Sequence, residues 1–289
     1  MDRQGWGVTI LDDKYPNAVG DSTRVQFFVP PLAANDTKAT TRPGILNVHG
    51  GIWTNGDCTA DKVPNIGLAR AGFVVAAIDF RMGPDYQHPA ASQDVRKALV
   101  WFRDNAERFQ VDPTKIGIYG ESSGGHLAMN VGIAPNSKQF VVPDDENHYE
   151  KNVIAPPKFL IALWPVSCPF SRYRYAKQAK LERIIKAQMG YFGSEDAMKE
   201  ASIPRMVTAG QTEGDKLPPL LVVTPGADGN VPTDITFDLI KAWQKWGASL
   251  LEYAYFPGEP HAFGLDASNS NTQAMIDIMV DFAKRHSSS

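Results

Sequence analysis

Residues 118–130 read IYGESSGGHLAMN, and they overlap the apolar run KIGIYG at 115–120. The run is short, continuously apolar and closed by glycine, which is the pattern of a strand covered on both faces. A helix candidate spans 124–133. Two serines therefore sit between glycines where a buried strand hands over to a helix. A G-x-S-x-G frame in that position describes a sharp turn that lifts one serine above the carboxyl ends of the strands. Its glycines are required because a Cβ there would collide with the neighbouring strand and helix. Gly120-Glu121-Ser122-Ser123-Gly124 centres the frame on Ser122. Centred on Ser123, the frame would open with Glu121, whose side chain would stand where none fits. Ser122 is the candidate nucleophile, and Ser123 is expected to offer its backbone N–H to an oxyanion and to start the helix.

The same rhythm extends along the chain. Apolar runs fall at 24–29, 44–48, 73–80, 115–120, 159–166, 219–226 and 250–256. Helix candidates lie between and after them at 60–71, 89–109, 124–133, 233–247 and 271–285. In the second of these, Val95, Leu99, Phe102, Ala106 and Phe109 recur three or four apart, one face of an amphipathic helix. Strands alternating with helices predict an α/β fold, a mostly parallel central sheet with helices on both faces. Two stretches break the alternation. Residues 135–157 are polar and irregular, a surface loop. Residues 167–216 lie between two strands and are expected to form a small helical cap inserted in a single domain spanning 1–289. In that cap Tyr173, Tyr175, Ile184, Ile185, Met189, Tyr191 and Phe192 are expected to pack downward, with the basic residues facing solvent.

Composition bounds the function. The chain has 289 residues, 43% hydrophobic, with a net charge of −3, so nothing favours nucleic acid or an anionic membrane surface as a partner. No apolar run is long enough for a membrane span, and the start MDRQGWGVTILDD lacks the basic and apolar parts of a secretory signal. A cytoplasmic location is the expectation, and a homo-oligomer is compatible with it. Two cysteines, Cys58 and Cys168, are too few for a disulfide framework or a metal site.

A serine hydroxyl needs a base, and the base needs an orienting carboxylate. With the nucleophile on a strand-to-helix turn of such a sheet, the chain order is serine, acid, histidine. Of the histidines after Ser122, His148 is in the irregular loop and His286 ends the last helix, whereas His261 directly follows the run 250–256. Asp228 holds the equivalent place after the preceding run. Asp215 precedes that run, Asp234 reads as a helix-capping residue, and Glu259 lies in a kinked PGEP stretch expected to point it away. Upstream, ILNVHGGIW ends a strand in Gly50 and Gly51, which bring backbone N–H groups close to a developing oxyanion. His49 reads as a scaffold residue of that loop.

These blocks resemble those of α/β-hydrolases of the hormone-sensitive-lipase-like esterase group. The similarity covers PGILNVHGGIW (43–53), residues 79–128 with GESSGG, and residues 218–264 with the acid and base. The resemblance implies a carboxylic-ester hydrolase with Ser122, Asp228 and His261 as its triad. Backbone N–H groups of Gly51, Ile52 and Ser123 would be the oxyanion donors, beside Gly50. The implied substrate is a small-molecule ester, and neither a cofactor nor a metal is implied. Ile52 stands where a third glycine is usual, Ser123 where alanine is more usual, and HGGIW is also similar to the HGGxW loop of arylformamidases. An arylformamidase, amidase or peptidase using the same triad is the alternative, followed by a non-catalytic ligand-binding protein on this fold. Trp53, Trp164, Phe170, Tyr173 and Phe263 are expected to line the substrate pocket.

Overall fold

In the computed structural model, which describes residues 7–31, 41–142, 153–213, 217–246 and 250–288, every apolar run of the sequence enters one sheet. Its strands are β1 (Thr9–Pro16), β2 (Ser22–Val29), β3 (Arg42–Val48), β4 (Val74–Ile78), β5 (Val111–Glu121), β6 (Leu160–Leu163), β7 (Leu220–Pro225) and β8 (Leu251–Phe256). They lie in the order β1-β2-β4-β3-β5-β6-β7-β8. The pairs β1/β2 and β2/β4 are antiparallel, and all others are parallel.

The sheet is buried on both sides because its strands send alternate side chains into two cores. Leu46, Ile118, Leu220 and Val222 point to one, and Ile45, Tyr119, Leu221 and Val223 to the other. The first core is closed by α2 (Ala90–Asp104), α3 (Ser122–Ile133) and α8 (Thr233–Trp246). The second is closed by α1 (Lys62–Arg70) and α9 (Thr272–Ser287). The helix ends at Asp104, so of the stripe expected over 89–109, Ala106 and Phe109 fall in a separate 3-10 turn, where Phe109 is only partly buried. Val95, Leu99 and Phe102 are fully covered on α2. Each such side chain contributes roughly 1.5–3 kcal/mol relative to exposure.

Strand β1 was not foreseen. TILDDKYP is mostly exposed along its length, so it shows no apolar alternation; Tyr15 is its one buried residue, and Ile10 packs partly against the second core. An edge strand dotted with Asp12, Asp13 and Lys14 is protected from pairing with another chain, and the same charges hide it from a hydrophobicity reading.

Between β6 and β7 the chain forms four helices: α4 (Pro169–Gln178), α5 (Glu182–Phe192), α6 (Glu195–Glu200) and α7 (Ile203–Thr208). The basic stretch 171–192 is broken between α4 and α5 at Lys180, which takes a positive φ of 56°. The expectation that its basic residues face solvent needs correction. Arg174 and Lys177 do, but Arg172 is fully buried. Among the described residues no helix is long and apolar enough to cross a membrane.

The topology fixes where a site can form. The chain passes from β3 to β4 on one side and then to β5 on the other side of β3. Crevices in such sheets open at the carboxyl ends of the strands where the winding reverses. Val48 pairs with Gly120, so the loop after β3 lies beside the turn after β5.

Candidate active site

Both glycines of the turn after β5 are sterically required. A Cβ on Gly120 would lie 2.4 Å from the Gly124 backbone, and one on Gly124 would lie 2.0 Å from the Val48 carbonyl oxygen. Helix α3 thus starts in contact with the end of β3. Ser122, between them, is held at φ 52°, a conformation rarely adopted by residues other than glycine. Its Oγ is 3.1 Å from His261 Nε2, and His261 Nδ1 is 2.7 Å from Asp228 Oδ2. The other oxygen of Asp228 accepts the backbone N–H groups of Asn230 and Val231, both at 2.8 Å. With its side chain only 1% exposed, Asp228 has no access to solvent and a full set of donors. Because a carboxylate only accepts, Nδ1 carries the imidazole proton and Nε2 is left to accept from the serine.

The three residues come from the ends of three strands, β5, β7 and β8, as chain order required. The rival groups lie elsewhere. Glu259 accepts from Asn269 and Asn271, both at 2.6 Å, and Asp234 sits in the first turn of α8. His286 stacks on Phe282 at the end of α9. His148 and Asp215 fall outside the described residues.

The loop after β3 turns through three consecutive positive φ values: 108° at Gly51, 60° at Ile52 and 60° at Trp53. A Cβ on Gly51 would lie 1.9 Å from the Asn55 carbonyl oxygen, so the loop closes only around glycine. The N–H groups of Gly51 and Ile52 have no acceptor among the described residues. The Ser123 N–H belongs to the first turn of α3, where no intrahelical acceptor exists. Gly50 lies directly against the Glu121 carboxylate, which its backbone N–H helps to stabilise in the charged form. The second serine has a role not anticipated from sequence. Its Oγ accepts the Trp53 N–H at 3.2 Å and ties the loop to α3. His49 is buried, stacked on Phe80 with Nδ1 2.7 Å from the Gly50 oxygen, as a scaffold residue should be.

Sequence reasoning passed over Glu121, seen only as the unspecified residue of the frame. Its Oε2 accepts the Trp164 indole N–H at 2.7 Å, and the nearby Gly50 N–H also favours its charged form. Burial pushes its carboxyl up, opposed by these donors and by the nearby His261. Behind it Asp61 is fully buried and accepts from Asn47 at 2.6 Å. Burial, then repulsion by Glu121, raises that carboxyl well above the usual range. A charged residue closing the apolar run 116–120 was the available signal.

The five aromatics named for a pocket do not share one contact group. Trp164 and Phe263 pack together at 5.4 Å between centroids, and Trp164 lies 6.3 Å from the His261 ring. Trp53 is fully buried against Tyr191 and Phe192 of α5 and His126 of α3. Phe170 and Tyr173, on α4, are faced by cap cations, Lys199 at 4.9 Å and Lys177 at 5.4 Å. Cys58 and Cys168 are free thiols, and burial pushes Cys58 up to about 12.

The chain is similar in sequence and fold to several known esterases. Esterase LipC of Mycobacterium tuberculosis is 26% identical over 231 residues, covering 80% of this chain and 55% of LipC. LipM of the same organism, a probable carboxylic ester hydrolase, is 25% identical over 82% of this chain and 53% of its own length. The chain therefore spans about half the length of these curated relatives. A propionate-bound esterase of Thermogutta terrifontis superposes with a TM-score of 0.73 at 24% identity, over 95% of this chain and 93% of that one. That likeness shows the shared α/β-hydrolase fold. The BD-FAE family model matches residues 32–242, most of the sheet together with the whole cap, and this chain belongs to the BD-FAE family.

Proposed function

We propose that this protein is a serine carboxylesterase that cleaves small or medium carboxylic esters through an acyl-enzyme. The observation that carries the reading is the continuous chain from Ser122 Oγ through the His261 ring to a fully bonded Asp228. A neutral imidazole at Nε2 can take the serine proton as Oγ attacks the ester carbonyl carbon. Asp228 holds the ring in that tautomer and stabilises the imidazolium. The carbonyl oxygen becomes an oxyanion facing the N–H groups of Gly51, Ile52 and Ser123, which are fixed before the reaction begins. Collapse breaks the carbon–oxygen bond, and His261 gives its proton to the departing alcohol. A water then attacks the acyl group while His261 takes one of its protons. The acid leaves, and that proton returns to Ser122 Oγ. The names of the relatives support an ester as substrate, and the triad alone would also serve an amide.

The test is turnover of p-nitrophenyl esters of graded acyl length beside an aryl formamide and a peptide anilide. The expectation is ester hydrolysis that Ser122→Ala reduces by on the order of 10⁴-fold or more. Preferential cleavage of the formamide or anilide would replace the esterase reading with an amidase one. Absence of any turnover would leave a binding protein.

A further inference from the structure

Native interiors leave few polar atoms without partners, so a cluster of them calls for an explanation. Beneath the cap, one such cluster surrounds Trp53. The indole Nε1, the Nδ1 of His126 and two guanidinium nitrogens of Arg172, Nε and Nη1, are buried without a hydrogen-bond partner. Trp53 and His126 meet edge to face at 5.4 Å, and the Arg172 guanidinium carbon lies 6.0 Å from the centre of the Trp53 ring. Burial lowers His126 to about 3, so its ring is neutral.

Arg172 is the unusual member. It comes from α4 of the cap and has no exposed surface. Among the described residues it makes no ion pair. Its one side-chain hydrogen bond runs from Nη2 to Asn230 Oδ1. Burial pulls the guanidinium down to about 9, countered by attraction to Asp228, so it keeps its charge at neutral pH. Asp228 does not serve as a contacting partner, since His261, Asn230 and Val231 occupy its oxygens.

Arginine and the indole nitrogen can only donate. Two neighbouring donor-only groups, one of them a buried cation, are complemented by an anion that only accepts. Both are also wired to the reacting centre. The Trp53 backbone N–H donates to Ser123 Oγ, while Asn230 accepts from Arg172 through its side chain and donates its backbone N–H to Asp228. We propose that Arg172, with Trp53, forms a subsite for a substrate carboxylate, making half-esters of dicarboxylic acids or esters of hydroxy acids the preferred class. This inference rests on the esterase reading. A carboxylate on the acid part and one on the alcohol part share this chemistry, so the test separates them.

The acid-side arm compares monoethyl glutarate with its carboxamide isostere. The alcohol-side arm compares the butyrate ester of γ-hydroxybutyrate with that of γ-hydroxybutyramide. In wild type, kcat/KM for the carboxylate should exceed that for the carboxamide by roughly tenfold to a hundredfold in one arm, the range for a hydrogen bond to a charged group. Arg172→Met should bring that ratio to one or below, and Arg172→Lys should leave it intermediate. A wild type that prefers the carboxamide in both arms overturns the proposal, as does an Arg172→Met enzyme that keeps the preference. If Arg172→Met does not fold, the wild-type ratio and the lysine variant decide. If wild type turns over no ester, calorimetry with the same pairs decides. Tighter binding of a carboxylate than of its amide then supports the subsite and equal binding overturns it, while the missing turnover counts only against the esterase reading.

Discussion

Two neighbouring regions of this molecule treat their polar groups in opposite ways. Around Ser122, His261 and Asp228 the side-chain hydrogen bonds form an unbroken chain, ending on backbone N–H groups. Beneath the cap, Trp53, His126 and Arg172 are just as buried but keep polar atoms unpartnered. A group that must be held in one tautomer and one orientation needs its partners in the resting protein. A group that meets a substrate leaves its partner to be supplied. On the proposed reading, the first region is finished before substrate arrives and the second is completed by it.

This contrast is broken most forcefully at the acid. Asp228→Asn keeps the shape of the side chain but offers an N–H where His261 Nδ1 needs an acceptor. Ester kcat should fall on the order of 10⁴-fold with little change in melting temperature. A loss of only a few fold would mean that Asp228 does not orient the base.

Glu121 supplies a smaller effect, because it acts through the loop. Its carboxylate accepts the Trp164 indole N–H and is stabilised by the nearby Gly50 N–H. Glu121→Gln presents an amide group to one of those donors, and the loop carrying Gly51 and Ile52 should shift. A fall in kcat of up to about a hundredfold is expected, of the size seen when one oxyanion donor is lost. KM for neutral esters should change less than kcat. An unchanged kcat would detach Glu121 from the loop.

The smallest effect is on stability. Asp61 has a folded pKa well above its unfolded one, so the folded state holds the proton more tightly. Its contribution is fully present below the ordinary aspartate range and is lost as pH rises through the raised value. Asp61→Asn is neutral at every pH. Its melting temperature should therefore decline less than that of wild type as pH rises above the aspartate range. Parallel curves would show that Asp61 is not protonated in the fold.

Sequence made the finished region legible and left the other obscure, for physical reasons. Gly120, Ser122 and Gly124 are bound by steric requirements within five residues, and Asp228 and His261 follow strands whose apolar runs announce themselves. Glu121 was passed over because nothing local says that its side chain turns back against Gly50 and Trp164. Arg172 was read as solvent-facing because SRYRYAKQAK carries four basic residues within ten. Which one turns inward depends on Trp53 and Asn230, more than fifty residues away on either side. Strand β1 escaped for the opposite reason, since an edge strand needs charge where a core strand needs apolar side chains.

The central claim is that Ser122, not its neighbour, is the group the triad activates. Labelling with a fluorophosphonate probe, followed by mass mapping of the modified peptide, reads this directly in wild type and Ser123→Ala. The probe should attach to Ser122 in both proteins, because the Ser122 hydroxyl lies against His261 Nε2 whereas that of Ser123 accepts the Trp53 N–H. An adduct on Ser123, or ester turnover with Ser122 left unlabelled, would contradict the account.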